Sequence, residues 1–386
     1  MHAFVTTPGF EGALSAELAP LFAERRVLVP GILVGDTAPG GPPALDPVFA
    51  RQTLPDALEV SGASVRALAE AAYATVEATI DRWPGAFTVH AFPPPEPSDA
   101  DEPAALPGAR LAHTRARAAR QAGPRARDDD APTKTGARDG GLGSRAALVE
   151  RELLALVTER RKRASRRYAP APTTFDGDLL LVQLLLPSRE RVLVSATAPR
   201  PLPRGGFDLA PWPAGTAPVD DDRAPPSRAY RKLEEAFQWM GAAPRAGETC
   251  VDLGAAPGSW TLMAARRGAK VLAVDRAPLA AVAARAPGVT TVAGNAFTYE
   301  PPRALSIDWL LSDVVCEPSR AIDLVDQWLG RARNLVVTIK FKGRDQYGAL
   351  AALEPILDRA RPAFARVKQL AHNKNEVTVM IRRADP

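Results

Sequence analysis

The segment Val251–Trp260, which reads VDLGAAPGSW, constrains the fold of this 386-residue chain more than any other stretch. An apolar run leads into Asp252, and Gly254 and Gly258 then interrupt the chain before a helical stretch. A second apolar run, KVLAVD, ends at Asp275. This order predicts a strand, a glycine turn, a helix and a second strand, with a ligand lying across the carboxyl ends of parallel strands.

The glycine loop favours a ligand without phosphates. Gly254 and Gly258 do not follow the G-x-G-x-x-G spacing of a dinucleotide-binding loop, and Pro257 removes an amide that would cradle a pyrophosphate. S-adenosyl-L-methionine suits such a loop, because glycines admit its amino-acid part and Asp275 can accept hydrogen bonds from its ribose. An ordinary glycine-rich connection between strand and helix is the alternative.

Composition and length exclude several classes of protein. The chain is 46% hydrophobic and long enough for two or three domains. Its longest apolar stretch, residues 179–186, is too short to span a bilayer, and no charged-then-apolar leader opens the chain. Its two cysteines do not suggest a disulfide framework. We therefore expect a soluble cytoplasmic protein with no membrane partner and no metal.

The positive charge has a local centre. The net charge of +5 is compatible with a polyanionic partner. An apolar stripe of Leu148, Leu153, Leu156 and Val157 predicts a helix, and cations crowd its end. Phosphate binding is the functional interpretation, and stabilisation of a helix C-terminus is the structural one. The predicted RNA-binding cations are Arg160, Arg161, Lys162, Arg163, Arg166 and Arg167.

Texture along the chain predicts its domains. Short alternating elements indicate a small α+β fold at the start, and a stretch rich in Pro, Gly, Ala, Arg and Asp indicates a disordered insertion, whose basic part is residues 115–127. A proline-rich linker precedes a helix that Ser227 can cap. The predicted domains are an α+β domain at 1–82, an RNA-binding domain at 83–198 with the insertion at 93–143, the linker at 199–226 and a catalytic domain at 227–386.

The catalytic domain alternates apolar strands with helical stretches, which predicts a doubly wound α/β sheet. If its last strand is antiparallel, Glu376 at that strand's start meets Asp313 and Lys340 at the ends of two others. A lysine between two carboxylates at a ligand site is an acid–base candidate, although each residue alone has a structural alternative as a helix cap, a strand end or an edge charge. The candidate strands are 249–253, 270–275, 289–293, 307–313, 334–341 and 376–382.

The motifs DLGAAPGSW, LLSDVV, VVTIKFKG and NKNEVTV resemble those of the FtsJ-type ribose 2'-O-methyltransferases. The resemblance implies a Rossmann-like, S-adenosylmethionine-dependent fold with a Lys-Asp-Lys-Glu tetrad: Lys232, Asp313, Lys340 and Glu376. It makes Lys340 the base or orienter of a ribose hydroxyl, with Lys232 beside the acceptor. The implied cofactor contacts are Asp252, Gly254, Ala256, Pro257, Gly258, Trp260, Asp275, Asn295 and Asp313. Asn295 stands where relatives usually have aspartate, and its amide oxygen can still accept a hydrogen bond.

Further segments, TPGFEGALSAEL, DPVFARQTLP, PPSRAYRKLEEAF and EVTVMIRR, are similar to the RlmM family. That resemblance implies a ferredoxin-like and a THUMP-like region before the methyltransferase domain. It also implies methylation of a cytidine ribose in the peptidyl-transferase region of 23S ribosomal RNA, free or in an assembly precursor. Three alternatives stay open: a ribose methyltransferase for transfer RNA or another ribosomal site, a base methyltransferase, and a catalytically degenerate RNA-binding protein.

Overall fold

A computed structural model describes residues 1–36, 44–96, 141–170, 175 and 178–384. These residues form three sheets, two of four strands and one of seven. The predicted insertion at 93–143, with its basic stretch at 115–127, falls mostly outside the described residues. Within the described ranges, no helix is long and apolar enough to cross a membrane.

The first sheet is antiparallel and comes from the start of the chain. Its strands lie in the order β2-β3-β1-β4, and helix α1 (Glu11–Glu17) packs against it through Leu14. Phe4 meets Phe22 edge-on with ring centroids 5.3 Å apart. The strands are β1 (His2–Val5), β2 (Glu24–Val29), β3 (Ile32–Asp36) and β4 (Gln52–Leu54).

The second sheet has the order β5-β8-β7-β6, and two helices cover it. Ser64 caps the first helix by accepting a hydrogen bond from the amide of Ala67 at 3.1 Å. The strands are β5 (Leu58–Ser61), β6 (Phe87–Phe92), β7 (Leu180–Ser188) and β8 (Arg191–Thr197). The helices are α2 (Val65–Arg82) and α3 (Leu142–Arg160), followed by the short α4 (Lys162–Ser165).

This sheet crosses the boundary that the sequence predicted at residue 82. Strand β5 pairs with β8 and helix α2 packs on α3, so residues 58–82 belong with the second sheet. The pairing joins segments that are far apart in the chain, and local texture does not reveal it. The predicted stripe on α3 also needs a correction, because Leu148 is exposed and Val149 is buried in its place.

The third sheet carries the predicted doubly wound topology. Its order is β11-β10-β9-β12-β13-β15-β14, in which β9 to β13 run parallel and β15 runs antiparallel to β13. The chain reverses its direction of winding between β9 and β12, where ligands bind in such sheets. The strands are β9 (Thr249–Leu253), β10 (Lys270–Asp275), β11 (Val289–Ala293), β12 (Ile307–Ser312), β13 (Ala332–Lys340), β14 (Phe364–Lys368) and β15 (Glu376–Arg382).

Helices flank this sheet on both faces and bury apolar stripes against it. The helix before β9 begins at Tyr230, and Ser227 does not cap it: the Ser227 hydroxyl instead lies 2.8 Å from that of Ser259. The helices are α5 (Tyr230–Met240), α6 (Ser259–Arg266), α7 (Ala281–Ala284), α8 (Pro318–Leu329) and α9 (Leu353–Ala360), with a 3-10 segment at Arg344–Ala352.

The proline-rich segment at 199–226 packs onto the domain that follows it. Leu209 and Trp212 are buried, and the Trp212 ring meets that of Trp239 edge-on at 5.3 Å. The side chain of Gln52 donates to the carbonyl of Ala210 at 2.9 Å and accepts from its amide at 3.0 Å. This segment is therefore a packed connection, because its few apolar side chains are buried in the core of the seven-stranded sheet. Its hydrogen bonds to Gln52 also hold the first sheet.

Buried charges join the first sheet to the third. Lys368 on β14 is 4% exposed; its ammonium lies 2.6 Å from the Asp46 carboxylate and donates to the carbonyls of Pro47 and Ala50. The Glu17 carboxylate accepts from the amides of Val48 at 2.6 Å and Phe49 at 3.2 Å. The N-terminal part of the chain is thus fixed against the edge of the seven-stranded sheet.

Candidate active site

The glycine loop lies at the carboxyl ends of β9 and β10, as predicted. Gly254 and Gly258 have φ angles of +73° and +106°, which favour glycine. A Cβ at Gly254 would lie 2.8 Å from the Val314 side chain, and one at Gly258 would lie 2.5 Å from that of Ala283. The protein's own packing therefore requires both glycines, whatever the loop binds.

Asp275 at the end of β10 holds this loop. Its carboxylate accepts from the amide of Ala256 at 2.9 Å and from that of Ala277 at 2.8 Å, and the residue is half-buried. Each carboxylate oxygen has a further lone pair, so these contacts leave acceptor capacity for ribose hydroxyls. Pro257 is exposed at the loop, and Ala256 is half-buried beside it.

Two of the predicted cofactor contacts face the core instead. Asp252 is 1% exposed and accepts a hydrogen bond from the Thr261 hydroxyl at 2.6 Å. Burial raises the pKa of Asp252 to about 7. The buried indole of Trp260 donates to the carbonyl of Ala229 at 2.8 Å. These two side chains support the glycine loop from the side of the protein core. Their positions in the sequence motif did not reveal this role.

Asn295 and Asp313 complete this edge of the sheet. Asn295 follows β11 and is half-buried, and its side-chain oxygen accepts from the amide of Phe297 at 3.1 Å. Asp313 follows β12 and belongs to the polar cluster described next, and its neighbour Val314 packs against Gly254 of the glycine loop. Both residues lie at the ends of strands, and their contact with a cofactor stays a prediction.

The four residues of the predicted tetrad meet in one cluster. The ammonium of Lys232 on α5 donates to the Asp313 carboxylate at 2.8 and 2.9 Å and lies 3.0 Å from that of Glu376. Lys340 at the end of β13 donates to the backbone carbonyl of Asp313 at 2.6 Å and lies 3.1 Å from its carboxylate. The antiparallel β15 pairs Glu376 with Lys340 in register. The three strand ends thus come together as inferred, but the lysine that lies between the two carboxylates is Lys232, and not Lys340 as the sequence predicted.

The two lysines differ in their surroundings. The Lys232 side chain is 8% exposed and contacts two carboxylates, whereas that of Lys340 is 23% exposed and contacts one. Burial lowers the pKa of Lys232, but the charges of Asp313 and Glu376 outweigh burial and raise it above its ordinary value. Lys232 therefore stays an ammonium near neutral pH, and Lys340 is the lysine that faces the crevice.

The predicted cationic cluster at the end of α3 divides in two. Arg161 pairs with Glu77 and Asp81, Arg160 lies over the Tyr73 ring, and Arg167 donates to a backbone carbonyl of α2. These three arginines hold α3 and the turn after it against α2. Lys162, Arg163 and Arg166 are exposed. Arg160 and Arg161 are exposed as well, but their contacts with α2 occupy them, so we expect the second group to supply most of the contacts to a polyanion.

One buried carboxylate beside the tetrad was not predicted. Glu235 lies one helical turn after Lys232, is fully buried, and accepts from the amides of Ala371 and His372. Glu235 is two positions from both Leu233 and Phe237, so it lies on the opposite side of the helix from that apolar stripe, where a charged residue is expected to be solvated. Within the described part of the chain, no group of three His, Cys, Asp or Glu side chains could hold a metal ion.

Part of the chain matches a known protein family. Residues 225–362 match the family of FtsJ-like methyltransferases, a span that contains three of the four tetrad residues and the whole glycine loop. Members of that family use S-adenosyl-L-methionine, which agrees with the predicted cofactor. Glu376 and strand β15 lie beyond the matched residues.

Curated relatives match a longer part of the chain than the family model does. The "Ribosomal RNA large subunit methyltransferase M" of Laribacter hongkongensis is 39% identical over 215 residues, covering 52% of this chain and 58% of the relative. The protein of the same name from Pseudomonas syringae is 36% identical over 220 residues, covering 52% and 60%. The chain thus spans about three-fifths of the length of these relatives. The resemblance to RlmM-type enzymes that the sequence predicted is confirmed.

Solved structures show only a distant likeness across the whole chain. TrmN from Thermus thermophilus has a TM-score of 0.35 at 17% identity, covering 99% of both chains. A possible methylase from Clostridium difficile has a TM-score of 0.32 at 9% identity, covering 100% of this chain and 98% of the other. These scores are too low to carry a functional argument.

Proposed function

We propose, from the match of residues 225–362 to FtsJ-like methyltransferases, that the chain transfers a methyl group to a ribose 2'-hydroxyl of RNA. The observation that supports this most is the tetrad. Two lysines and two carboxylates are linked by contacts no longer than 3.1 Å along the crevice edge of the sheet. A hydroxyl acceptor needs such groups, since it must be oriented and must lose a proton.

The residues around the glycine loop suit S-adenosyl-L-methionine. When bound, this cofactor supplies the methyl group on an electrophilic sulfonium. Asp275 retains acceptor capacity for its ribose, Asn295 offers an amide to its adenine, and the backbone of Gly254, Ala256 and Pro257 forms the wall toward its amino-acid part. Asp252, Gly258 and Trp260 keep this wall in place through their packing.

Each tetrad residue has a proposed role on the acceptor side. Lys232, held as an ammonium by two carboxylates, donates a hydrogen bond to the acceptor oxygen and stabilises negative charge that develops there. Lys340 faces the crevice and takes or directs the hydroxyl proton. Asp313 holds both lysines, and Glu376 fixes Lys232 from its other side.

The N-terminal part of the chain serves RNA capture in this proposal. The first sheet is the ferredoxin-like unit, and the second sheet with α2 and α3 is the THUMP-like unit. The exposed cations Lys162, Arg163 and Arg166 supply phosphate contacts. The names of the relatives favour large-subunit ribosomal RNA as the substrate, and the RlmM resemblance favours a cytidine in the peptidyl-transferase region of 23S RNA.

The direct test offers the chain unmethylated 23S RNA transcribed in vitro, with S-adenosyl-L-methionine labelled in its methyl group. We expect label in RNA at one cytidine, which then resists alkaline cleavage on its 3' side because its 2'-oxygen is blocked. Transfer RNA and small-subunit RNA serve as competing substrates. Label on a base, or label only in transfer RNA, would overturn this assignment in favour of another RNA methyltransferase.

A further inference from the structure

A buried carboxylate connects the helix of Lys232 to the loop of Glu376. Glu235 is fully buried on α5, and its two oxygens accept from consecutive amides, Ala371 at 2.9 Å and His372 at 3.1 Å. Lys232 lies three residues earlier on the same helix, which is nearly one turn. Glu376 begins β15 four residues after His372. The carboxylate thus spans the two elements whose side chains meet at 3.0 Å in the tetrad.

The rest of this loop is fixed by its own polar side chains. The Asn373 side chain accepts from the amide of Leu370 at 2.7 Å and donates to the Glu376 carboxylate at 3.3 Å. The Asn375 side chain donates to the carbonyl of Phe341, the residue after Lys340, at 2.8 Å. The loop therefore touches the supports of three tetrad residues, and Glu235 is the charged group that holds its first turn.

Glu235 also lies where the N-terminal part of the chain meets this loop. The pKa of Glu235 is raised to about 7, because burial outweighs the two amide hydrogen bonds and the positive charge of Arg51, which lower it. Arg51 comes directly before β4, and its charge also lowers the pKa of His372. Burial of an acid is costly unless its oxygens are satisfied, so the two amides are what make this position tolerable.

We infer that Glu235 is a positioning residue for methyl transfer, which acts by holding the 371–375 loop so that Glu376 keeps Lys232 in place. This inference rests on the proposed function for its kinetic consequence. Glu235 touches neither the crevice nor any reacting atom, so its loss changes the rate through geometry. A displacement of about 1 Å in such a group costs up to about 100-fold in rate.

Glu235→Gln is the informative variant, because it keeps the shape of the side chain but turns an NH2 group toward one of the two amides. Glu17→Gln is a matched control: the Glu17 carboxylate also accepts from two consecutive amides, those of Val48 and Phe49, away from the tetrad. Both variants disturb a similar pair of hydrogen bonds. Only the first disturbs them beside Glu376.

With labelled S-adenosyl-L-methionine and unmethylated 23S RNA, we expect kcat of Glu235→Gln to fall about 10- to 100-fold. Its Kd for the cofactor, measured by calorimetry, should stay within about twofold of wild type, and Glu17→Gln should keep kcat. Glu235→Asp should recover part of the missing rate. An equal fall in Glu235→Gln and Glu17→Gln, or no fall in the first, would overturn the inference.

Hydrogen exchange tests the same inference without RNA. Glu235→Gln should speed exchange in the peptide that contains Ala371 and His372 and leave the peptide that contains the glycine loop unchanged. Unchanged exchange at Ala371 and His372 would reject the anchoring role even if the chain proves inactive on 23S RNA. Anchoring with no methyl transfer by wild type would instead reject the proposed function alone.

Discussion

At the scale of single residues, Asp275 has two proposed roles, as the acceptor for the cofactor ribose and as the support of the glycine loop. Asp275→Ala removes the proposed acceptor of the cofactor ribose and two hydrogen bonds to the loop backbone. We expect cofactor binding to weaken by about 1–3 kcal/mol, because the bound cofactor would cover this half-buried carboxylate. Calorimetry measures this, with Asp323→Ala on an exposed position of α8 as the control. Equal affinity in both variants would remove Asp275 from the cofactor site.

His90 makes the free energy of unfolding depend on pH. It is 3% exposed on β6, neither ring nitrogen has a hydrogen-bond partner among the described residues, and burial lowers its pKa to about 4. The unfolded chain binds a proton near pH 6.5 and the folded chain does not, so this contribution to stability is lost as pH falls from about 6.5 to 4. The full effect is about 3 kcal/mol, because one pKa unit corresponds to about 1.4 kcal/mol.

His90→Leu should therefore flatten the loss of stability between pH 6.5 and pH 4. The measurement is urea unfolding at a series of pH values, with Thr88→Val on the same strand as the control that retains the slope. A His90→Leu profile parallel to that of wild type would show that the folded and unfolded chains bind this proton equally well, which contradicts a lowered pKa.

At the scale of secondary-structure elements, the end of α3 offers two sets of cations to compare. Neutralising Lys162, Arg163 and Arg166 should weaken RNA binding and reduce the salt dependence by about 0.7–0.9 for each RNA phosphate that the chain no longer neutralises. Neutralising Arg160, Arg161 and Arg167 should instead lower thermal stability, because these arginines hold α3 against α2. RNA-binding titrations at several salt concentrations measure the salt dependence. If the dependence of RNA affinity on salt is unchanged in the first variant, these cations are only solvated.

The elements of the catalytic domain were largely predictable, because apolar runs ending in polar residues mark its parallel strands. Strand β14 was missed, since its buried Arg366 and Lys368 break the apolar pattern and their partner Asp46 lies about 320 positions earlier. Strand pairing across such distances also hid the place of β5 in the second sheet.

Three of the four tetrad residues could be predicted from the sequence pattern, and one could not. Asp313, Lys340 and Glu376 stand at strand ends, and sheet topology brings them together from the sequence alone. Lys232 sits on a helix where a lysine is usually solvated, so only the family resemblance selected it. Its burial between two carboxylates depends on tertiary packing of α5 against β15, which no local pattern records.

At the scale of the whole molecule, the contact between the first and third sheets fixes the N-terminal region relative to the active site. Asp46→Ala leaves the buried ammonium of Lys368 without its carboxylate, and we expect a loss of about 2–4 kcal/mol in unfolding free energy. Chemical denaturation measures this, with Asp326→Ala on the outside of α8 as the control. Equal stability of the two variants would mean that the buried pair does not join these sheets energetically.

Lys340 is the residue on which the proposed methyl transfer depends most. Single-turnover methyl transfer to unmethylated 23S RNA, measured for wild type, Lys340→Ala and Lys340→Arg together with cofactor affinity by calorimetry, tests it most directly. We predict no detectable transfer in either variant and unchanged affinity for S-adenosyl-L-methionine, because the lysine acts on the acceptor and a guanidinium keeps its proton. Near-wild-type transfer by Lys340→Arg would contradict the base role, and full transfer by Lys340→Ala would contradict the tetrad assignment.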